Sequence, residues 1–341
     1  MTPAGRPGGM VVLADGQPAE GAEIRATSGD SGFLFMNLPG RITQGEKDTR
    51  AETDATGHFE FVDSGFDGVV LITHEQGFLQ STVEALRAQP KLTLLPWGRV
   101  EGVLRVGTNL EPHATVHLTG GSSFGLFGWR FFYQGKTDAD GRFLFDKVPP
   151  GEPYLFRSFE SRSGRGMVNE GYQMPVRVSP GQMTEVSYGG TGRLITGKAE
   201  GQADWSNDAH VLVLKQSHGP AAPEPEDFAT WAAYRKARDA WTTGGYSRQS
   251  AAQRTYQLQF DPDGSFKIDD VPAGTYELRI RVTEPLKPDQ SAYIATPELG
   301  SLTREVVVPA MPGGRSDEPL DLGVLRLQWK QRPPGTAARP Q

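Results

Sequence analysis

Short runs of alternating apolar and polar residues recur along the whole chain, and residues typical of turns separate them. In Tyr276–Val282 every second residue is apolar, and Glu277, Arg279 and Arg281 stand between the apolar positions. A period of two places apolar side chains on one face of a β-strand, as in an antiparallel sheet with one face in water. The pattern therefore predicts an all-β protein built from short antiparallel strands.

Three segments of similar sequence indicate an internal repeat. Each has an Asp-Gly turn followed by Phe-x-Phe or Phe-x-Ile: Thr53–Phe61, Thr137–Phe145 and Phe260–Ile268. The aspartate side chain can accept backbone N–H bonds in a turn, and glycine allows the positive φ that such a turn needs. In two copies a second turn follows at the same distance, at Val148–Gly151 and Val271–Gly274. Each repeat is predicted to contain about seven short strands.

We predict three tandem antiparallel β-sandwich domains, at residues 1–92, 93–189 and 190–329, each with a hydrophobic core of its own. The tail, 330–341, is rich in Pro, Gly and Gln and is predicted to be disordered. The third domain is longer than the others and is expected to carry a helical insertion in a loop, at about 223–243. Pro223 and the acidic residues after it favour a helix start, and Gly244 favours its end.

The composition agrees with this fold and excludes several classes of function. Among 341 residues, 42 are glycine and 26 are proline, which favours many short strands over long helices. The net charge of −6 gives no general attraction to nucleic acid or to anionic lipid. The absence of cysteine excludes disulfides and thiolate metal sites. The first residues lack the apolar run of a signal peptide, and no apolar stretch of about 18 residues occurs, so we expect no membrane insertion.

A further pattern consists of Gly16–Ile24, the Gly77-Phe78 pair and the two kinds of turn described above. It resembles the carboxypeptidase regulatory-like domain, a transthyretin-like or prealbumin-like β-sandwich often found in tandem in bacterial envelope and secreted proteins. The resemblance implies Ig-like or prealbumin-like domains, an extracytoplasmic or secreted location, and an accessory role rather than peptidase activity. These motifs are structural turns, so they specify the fold more strongly than the function.

No residue pattern predicts a catalytic site. The sequence has no Walker loop and no dinucleotide-binding glycine motif, so we expect neither an enzyme nor a cofactor. Four aspartates in two Asp-x-Asp-Gly turns are weak candidates for calcium ligands, because hard cations bind carboxylate oxygens: Asp138, Asp140, Asp261 and Asp263. Calcium takes about six to eight oxygen ligands, so a plain β-turn is the favoured interpretation.

Long loops interrupt the three repeats at the same place, and they carry the candidate binding residues. Aromatic residues follow glycines in the first two loops, and two tryptophans lie on the predicted helix in the third: Phe33, Phe35, Phe127, Trp129, Phe131, Tyr133, Trp231 and Trp241. Exposed aromatic rings stack on sugars or contact partner proteins. The alternative is that the loop aromatics cover an open sheet edge or form an extra hairpin, and that the helix packs onto its own sandwich.

Three functions follow from this interpretation. The first is a non-catalytic binding or scaffolding protein of the bacterial cell envelope that presents its loops to a protein partner. The second is a carbohydrate-binding module that uses the aromatic loops to bind a polysaccharide. The third and weakest is an enzyme with a site between two domains, which requires an inter-domain cleft with convergent acidic residues.

Overall fold

The structure is a computed structural model, and most of its described residues lie in β-strands, which confirms the predicted all-β class. The strands form three β-sandwiches in a row along the chain. The structure describes residues 7–27, 32–45, 48–61, 68–124, 127–160, 168–201, 203, 205, 209–216, 254–257, 260–284 and 297–330.

The first sandwich contains eight strands and one short helix. They are β1 (Gly8–Val12), β2 (Glu23–Thr27), β5 (Asp48–Glu52), β6 (His58–Glu60), β7 (Val69–His74), β8 (Gly77–Thr82), α1 (Val83–Ala88), β9 (Lys91–Thr93) and β10 (Leu95–Pro96). One sheet has the order β6-β1-β9, and the other has the order β10-β8-β7-β2-β5.

The second sandwich contains nine strands of its own. They are β11 (Gly98–Val106), β12 (Asn109–Leu110), β13 (Thr115–Phe124), β14 (Phe127–Lys136), β15 (Arg142–Val148), β16 (Tyr154–Glu160), β17 (Val168–Glu170), β18 (Met174–Pro175) and β19 (Met183–Tyr188). Its smaller sheet has the order β12-β11-β15, with β19 also paired to β11. Its larger sheet has seven strands, two of which, β3 (Gly32–Met36) and β4 (Gln44–Gly45), come from the first repeat.

The third sandwich contains eight described strands. They are β20 (Arg193–Glu200), β21 (Ala209–Gln216), β22 (Thr255–Gln257), β23 (Ser265–Val271), β24 (Gly274–Thr283), β25 (Glu298–Val308), β26 (Leu320–Arg326) and β27 (Gln328–Trp329). The sheet orders are β23-β20-β26 and β22-β21-β24-β25-β27.

The smaller sheets of the three sandwiches share one topology. In each, the opening strand (β1, β11 or β20) lies in the centre and pairs antiparallel with the strand that follows the Asp-Gly turn. On its other side, each opening strand pairs in parallel with a closing strand (β9, β19 or β26). The sequence repeat therefore corresponds to a repeated fold.

The Asp-Gly turns have the hydrogen bonds expected of them. Asp138 Oδ1 accepts the N–H groups of Asp140 at 2.9 Å and Arg142 at 2.8 Å, and Asp54 binds the corresponding groups in the first copy. Gly141 has a φ of 69°, the left-handed conformation that glycine adopts without strain. Each turn thus satisfies its own backbone and starts the next strand.

The helix α1 was not predicted from the sequence. It begins after Thr82, whose Oγ1 accepts the N–H of Ala85 at 3.1 Å, and it buries Val83 and Leu86 against the first core. With six residues it is too short to show a helical period in the sequence. The predicted helix at about 223–243 lies outside the described residues.

Strand β3 connects the first repeat to the second sandwich. It follows β2 in the chain but lies parallel to β14, with Leu34 opposite Trp129 and Phe35 opposite Arg130. Leu34 and Met36 are fully buried there. The edge of the second sandwich is therefore covered by a strand of the preceding repeat, which is the edge-covering alternative considered for the first loop.

The buried side chains form two connected clusters, whereas three separate cores were expected. One cluster fills the first sandwich. The other runs from the contact with the first sandwich through the second and third. Strand β7 divides them, because Val70 and Ile72 belong to the first cluster and Val69 and Leu71 to the second. Because both faces of β7 are buried, its sequence begins with a continuous apolar run.

Consecutive sandwiches meet at two joints, and the same backbone feature occurs at each. Lys147 and Asp270 stand immediately before the Val-Pro of the second turn and have positive φ values of 49° and 57°. A buried tyrosine hydroxyl donates to the carbonyl oxygen of each, from Tyr133 at 3.3 Å and from Tyr256 at 2.9 Å. Left-handed backbone is unfavourable for residues other than glycine, and these hydrogen bonds to the carbonyl groups help to stabilise it. The backbone conformation in turn sets the direction of the two side chains.

Each of the two side chains reaches the preceding sandwich. Lys147 Nζ lies 2.6 Å from Glu75 Oε2 at the first joint, and Asp270 Oδ1 accepts the N–H of Gly107 at 3.1 Å at the second. The position before the Val-Pro turn thus makes a contact across the joint in both repeats. The residue at that position determines whether the contact is an ion pair or a hydrogen bond.

Aromatic residues fill the first joint. The ring centre of Phe78 lies 5.5 Å from that of Trp97 and 5.0 Å from that of Trp129. Both indole N–H groups donate across the joint, from Trp97 to the carbonyl of His74 at 2.9 Å and from Trp129 to Gln80 Oε1 at 2.8 Å. The first two sandwiches are therefore held by packing, by hydrogen bonds and by the strand pairing of β3.

The second joint contains a stack of tyrosines and an ion pair. The Tyr172 ring lies 4.5 Å from that of Tyr188 at an interplanar angle of 8°, and 5.6 Å from that of Tyr256. Arg157 of the second sandwich lies 3.4 Å from Asp269 of the third. Both joints are thus packed with buried rings rather than connected by an open linker.

Candidate functional site

Strand β14 distributes its residues between the two faces of the seven-stranded sheet. Trp129, Phe131 and Tyr133 point inward and are at most 4% exposed, whereas Arg130 and Phe132 point outward. Phe132 is 41% exposed. We define the ring face as the outward surface of β3, β13, β14 and β16, with the rings of Phe33, Phe35, His117, Phe132 and Phe156.

Three rings form the centre of the ring face. The ring centre of His117 lies 4.8 Å from that of Phe132 and 5.0 Å from that of Phe156, and the last two are 6.1 Å apart. His117 and Phe156 are opposite one another on β13 and β16. They are 5% and 2% exposed and lie beside Phe132 on the same face, so Phe132 is the accessible ring of the three.

A hydrogen bond fixes the orientation of His117. Its Nε2 lies 2.7 Å from Ser158 Oγ on the neighbouring strand. Burial lowers the pKa of the His117 imidazole below its ordinary value of 6.5. The ring is therefore neutral at pH 7 and acts as a flat, largely apolar support.

Two further rings come from the first repeat through β3. Phe33 and Phe35 are partly exposed, and their ring centres are 6.1 Å apart. The Arg130 guanidinium carbon lies 5.7 Å from the centre of the Phe33 ring, within the range of a cation–π contact. Because β3 pairs with β14, one continuous sheet holds rings from two repeats in place.

Two cations lie on the ring face. The described side chains of β3, β13, β14 and β16 include no aspartate or glutamate. By strand alternation, Arg130 and Lys136 both belong to the outward set of β14, and both are exposed. The chain as a whole has a net charge of −6. The described side chains of the face therefore combine accessible rings with two cations.

The predicted binding residues fall into three groups. Phe33 and Phe35 lie on the ring face, as described above. Trp129, Phe131 and Tyr133 are core residues of the hairpin β13–β14, which is the extra-hairpin alternative, so they are not available at the surface. The remaining three lie outside what the structure describes, by side chain or entirely: Phe127, Trp231 and Trp241.

Four residues of the ring face were not selected from the sequence: His117, Arg130, Phe132 and Phe156. The available signal was the strand period, because Arg130, Phe132 and Gln134 alternate with the aromatic core residues of β14. His117 and Phe156 could not be placed with them, since their position depends on the register between strands.

The two Asp-x-Asp-Gly turns have the bonds of ordinary turns. Asp263 accepts the N–H and the hydroxyl of Ser265, which lower the pKa of its carboxyl group below the usual range. Lys198 Nζ lies 3.0 Å from Asp263, where it opposes a bound cation. Within the described ranges, no three metal-binding side chains are grouped together.

A cleft of about 280 Å³ lies at the second joint, where the inter-domain enzyme hypothesis requires one. Three acidic residues line it: Asp269, Asp270 and Asp317. Each has a structural partner, since Asp269 pairs with Arg157, Asp270 accepts the N–H of Gly107 and Asp317 pairs with Arg315. The cleft therefore gives no positive support to catalysis.

The described part of the chain contains no helix that is long and apolar enough to cross a membrane.

No family model and no curated protein matches the sequence. The resemblance to the carboxypeptidase regulatory-like domain therefore stays a prediction, apart from the β-sandwich fold that it implied.

Several solved structures are similar at low levels. The TIE protein of Bacillus anthracis has 12% identity and a TM-score of 0.22 over 94% of this chain and 50% of that one, so the chain spans about half of its length. A minor pilin of Streptococcus agalactiae has 12% identity and a TM-score of 0.24 over 53% and 93% of the two chains. The major pilin subunit of Bacillus cereus has 10% identity and a TM-score of 0.19 over 94% and 98%. TM-scores this low carry no argument about function.

Proposed function

We propose that this chain is a non-catalytic binding protein of the cell envelope, in which packed β-sandwiches present the ring face to an extended polysaccharide. The observation that carries the proposal is the exposed ring of Phe132 between Phe156 and Phe33, held on a sheet shared by two repeats. Aromatic rings on a fixed sheet bind the apolar faces of sugar rings at a low cost in conformational entropy. The location in the envelope is supported by the family resemblance alone.

The size of the ring face favours a polysaccharide over a protein partner. A standard protein interface buries about 800 Å² on each partner around an apolar centre. On the ring face, Phe132 is 41% exposed and Phe33 and Phe35 are partly exposed, with polar residues between them. This is a small apolar surface for a protein, and it suits a narrow polymer that lies across the strands.

Retention on a panel of soluble and insoluble polysaccharides tests the proposal, measured by affinity electrophoresis and calorimetry with the full chain. Phe132→Ala should weaken binding about tenfold, which corresponds to about 1.4 kcal/mol. Leu144→Ala is the matched control, because Leu144 is 46% exposed but lies on the opposite sheet of the same sandwich. Equal binding by both variants, or no retention on any polysaccharide, would overturn the proposal.

A protein partner remains the second candidate because of an unpaired sheet edge. Along Leu302–Val308, the outer side of β25 pairs with no other strand within the described ranges, and Val307 is 58% exposed. Such an edge can accept an extended segment of another protein as an added strand. Val307→Lys should abolish this binding and leave polysaccharide binding intact, whereas Phe132→Ala should do the reverse.

A further inference from the structure

We infer that the polymer bound at the ring face is an acidic polysaccharide, whose carboxylates are held by Arg130 and Lys136 while its sugar rings stack on Phe132. This inference rests on the proposed function and adds the chemical class of the ligand.

The outward residues of β14 form a row of alternating chemistry. Arg130, Phe132, Gln134 and Lys136 are all exposed and stand at every second position. Residues two apart on a strand are about 7 Å apart, so the row is about 20 Å long. It places a cation at each end, with a ring and an amide between them. That length suits several units of an extended polymer that carries repeated negative charge.

Arg130 is the more specific of the two cations. Its guanidinium lies over the Phe33 ring and is exposed, and no carboxylate pairs with it among the described residues. An arginine offers two parallel N–H groups that match the two oxygens of a carboxylate. Because the contact with Phe33 already orders the side chain, less conformational entropy is lost when it binds.

Lys136 supplies a weaker contact at the other end of the row. It is exposed and has no ion pair within the described part of the chain, but it also borders a groove that contains Asp138 and Glu101. An ammonium group is a point charge without the fork geometry of arginine. We therefore expect Arg130 to provide most of the selectivity for acidic over neutral sugars.

The charge of the protein separates this ligand from a single-stranded nucleic acid, which would also stack on phenylalanine rings. Nucleic acids carry a phosphate on every nucleotide, and their binding depends on several basic contacts. The row offers two cations on a chain with a net charge of −6, which repels a densely charged polymer. Acidic polysaccharides have a lower charge density, and their sugar rings present apolar C–H groups to aromatic side chains.

The test compares acidic polysaccharides with their own neutral forms. Alginate, polygalacturonate and hyaluronate are each titrated into the full chain by calorimetry, beside the same polymers after reduction of their carboxyl groups. We expect at least one acidic polymer to bind at least tenfold more tightly than its reduced form. Arg130→Gln should remove that difference, and Arg130→Lys should retain part of it.

The matched control is Arg177→Gln, because Arg177 is also exposed but lies between β18 and β19, away from the row. It should bind like the unmodified chain. The melting temperature of Arg130→Gln should be unchanged, which excludes unfolding as the cause of any loss. Higher salt should weaken binding of the acidic polymers only.

The outcomes distinguish the two proposals. If acidic and reduced polymers bind equally and Phe132→Ala weakens both, the acidic ligand is wrong and polysaccharide binding stands. If no polymer binds, both proposals are wrong. If single-stranded DNA competes more strongly than any acidic polysaccharide, the ligand class is wrong and a nucleic acid takes its place.

Discussion

The two faces of strand β14 differ completely although their residues alternate along one short sequence. Trp129, Phe131 and Tyr133 are buried on one face, and Phe132 is exposed on the other. Phe131 and Phe132 are neighbours in the chain with the same side chain, yet one packs in the core and the other is partly exposed. The difference shows that strand position, rather than aromatic character, separates a core ring from an accessible one.

The largest effect is expected from removing an inward ring. Phe131 is 2% exposed, and its ring centre lies 5.9 Å from that of Trp129 and 4.9 Å from that of Tyr133. Phe131→Ala should lower the free energy of unfolding by about 3–5 kcal/mol, because it leaves a cavity in the core. Phe132→Ala is the matched control, and its loss should stay below about 1 kcal/mol. Urea denaturation measures both, and equal losses would end the distinction between the faces.

Truncation of a buried side chain on β3, the strand that joins two repeats, should have the next largest effect. Leu34 is fully buried on β3, between the ring-face residues Phe33 and Phe35. Leu34→Ala should cost about 2–5 kcal/mol and also weaken polysaccharide binding, because the rings on β3 lose their support. Denaturation and calorimetry on the same variant check the two effects. A destabilised variant with unchanged affinity would show that β3 holds the core but not the ring face.

The tyrosine hydroxyls at the joints should contribute less. Tyr133→Phe and Tyr256→Phe each remove one donor to the carbonyl of a left-handed residue, Lys147 or Asp270. Each should lower the free energy of unfolding by about 1–3 kcal/mol, since a buried acceptor loses its partner. The double variant should show additive losses, because the two joints are separate sites. A strong non-additivity would indicate that the joints unfold as one unit.

The smallest effect is a dependence of stability on pH that comes from the ring face. The pKa of His117 is lowered by burial, so the folded state binds fewer protons than the unfolded state. Stability from this group is complete above its ordinary pKa of 6.5 and falls as the pH drops below that value. His117→Phe should flatten stability curves between about pH 6.5 and 5. Thermal melts across that range provide the measurement.

Much of the fold was predictable because its signals are local. The Asp-Gly turns work through hydrogen bonds within about four residues, such as those from Asp138 to Asp140 and Arg142, so three copies can be recognised without tertiary information. The alternation in Tyr276–Val282 likewise predicts a half-buried strand, and β24 buries these apolar residues. The parallel pairing of the closing strands was not visible, because it joins residues distant in the chain.

The candidate site was predicted only in part, for the same reason. Phe33 and Phe35 were selected for their aromatic character in a glycine-containing loop, without the knowledge that the segment is a strand of the next sandwich. Phe132 was passed over in favour of Phe131 and Tyr133, which belong to the opposite face. A shift of one residue in strand position exchanges the two sets, and nothing in the local sequence specifies which set faces the core.

The order of residues along the chain thus contained the number of repeats, the turn positions and the strand period, since each depends on neighbours within a few residues. Which rings are buried, which strand covers an open edge, and where Arg130 meets Phe33 depend on pairing between distant segments. Those pairings are determined by the free energy gained when apolar surface is buried across the whole molecule. That gain exists only after the sandwiches have packed together.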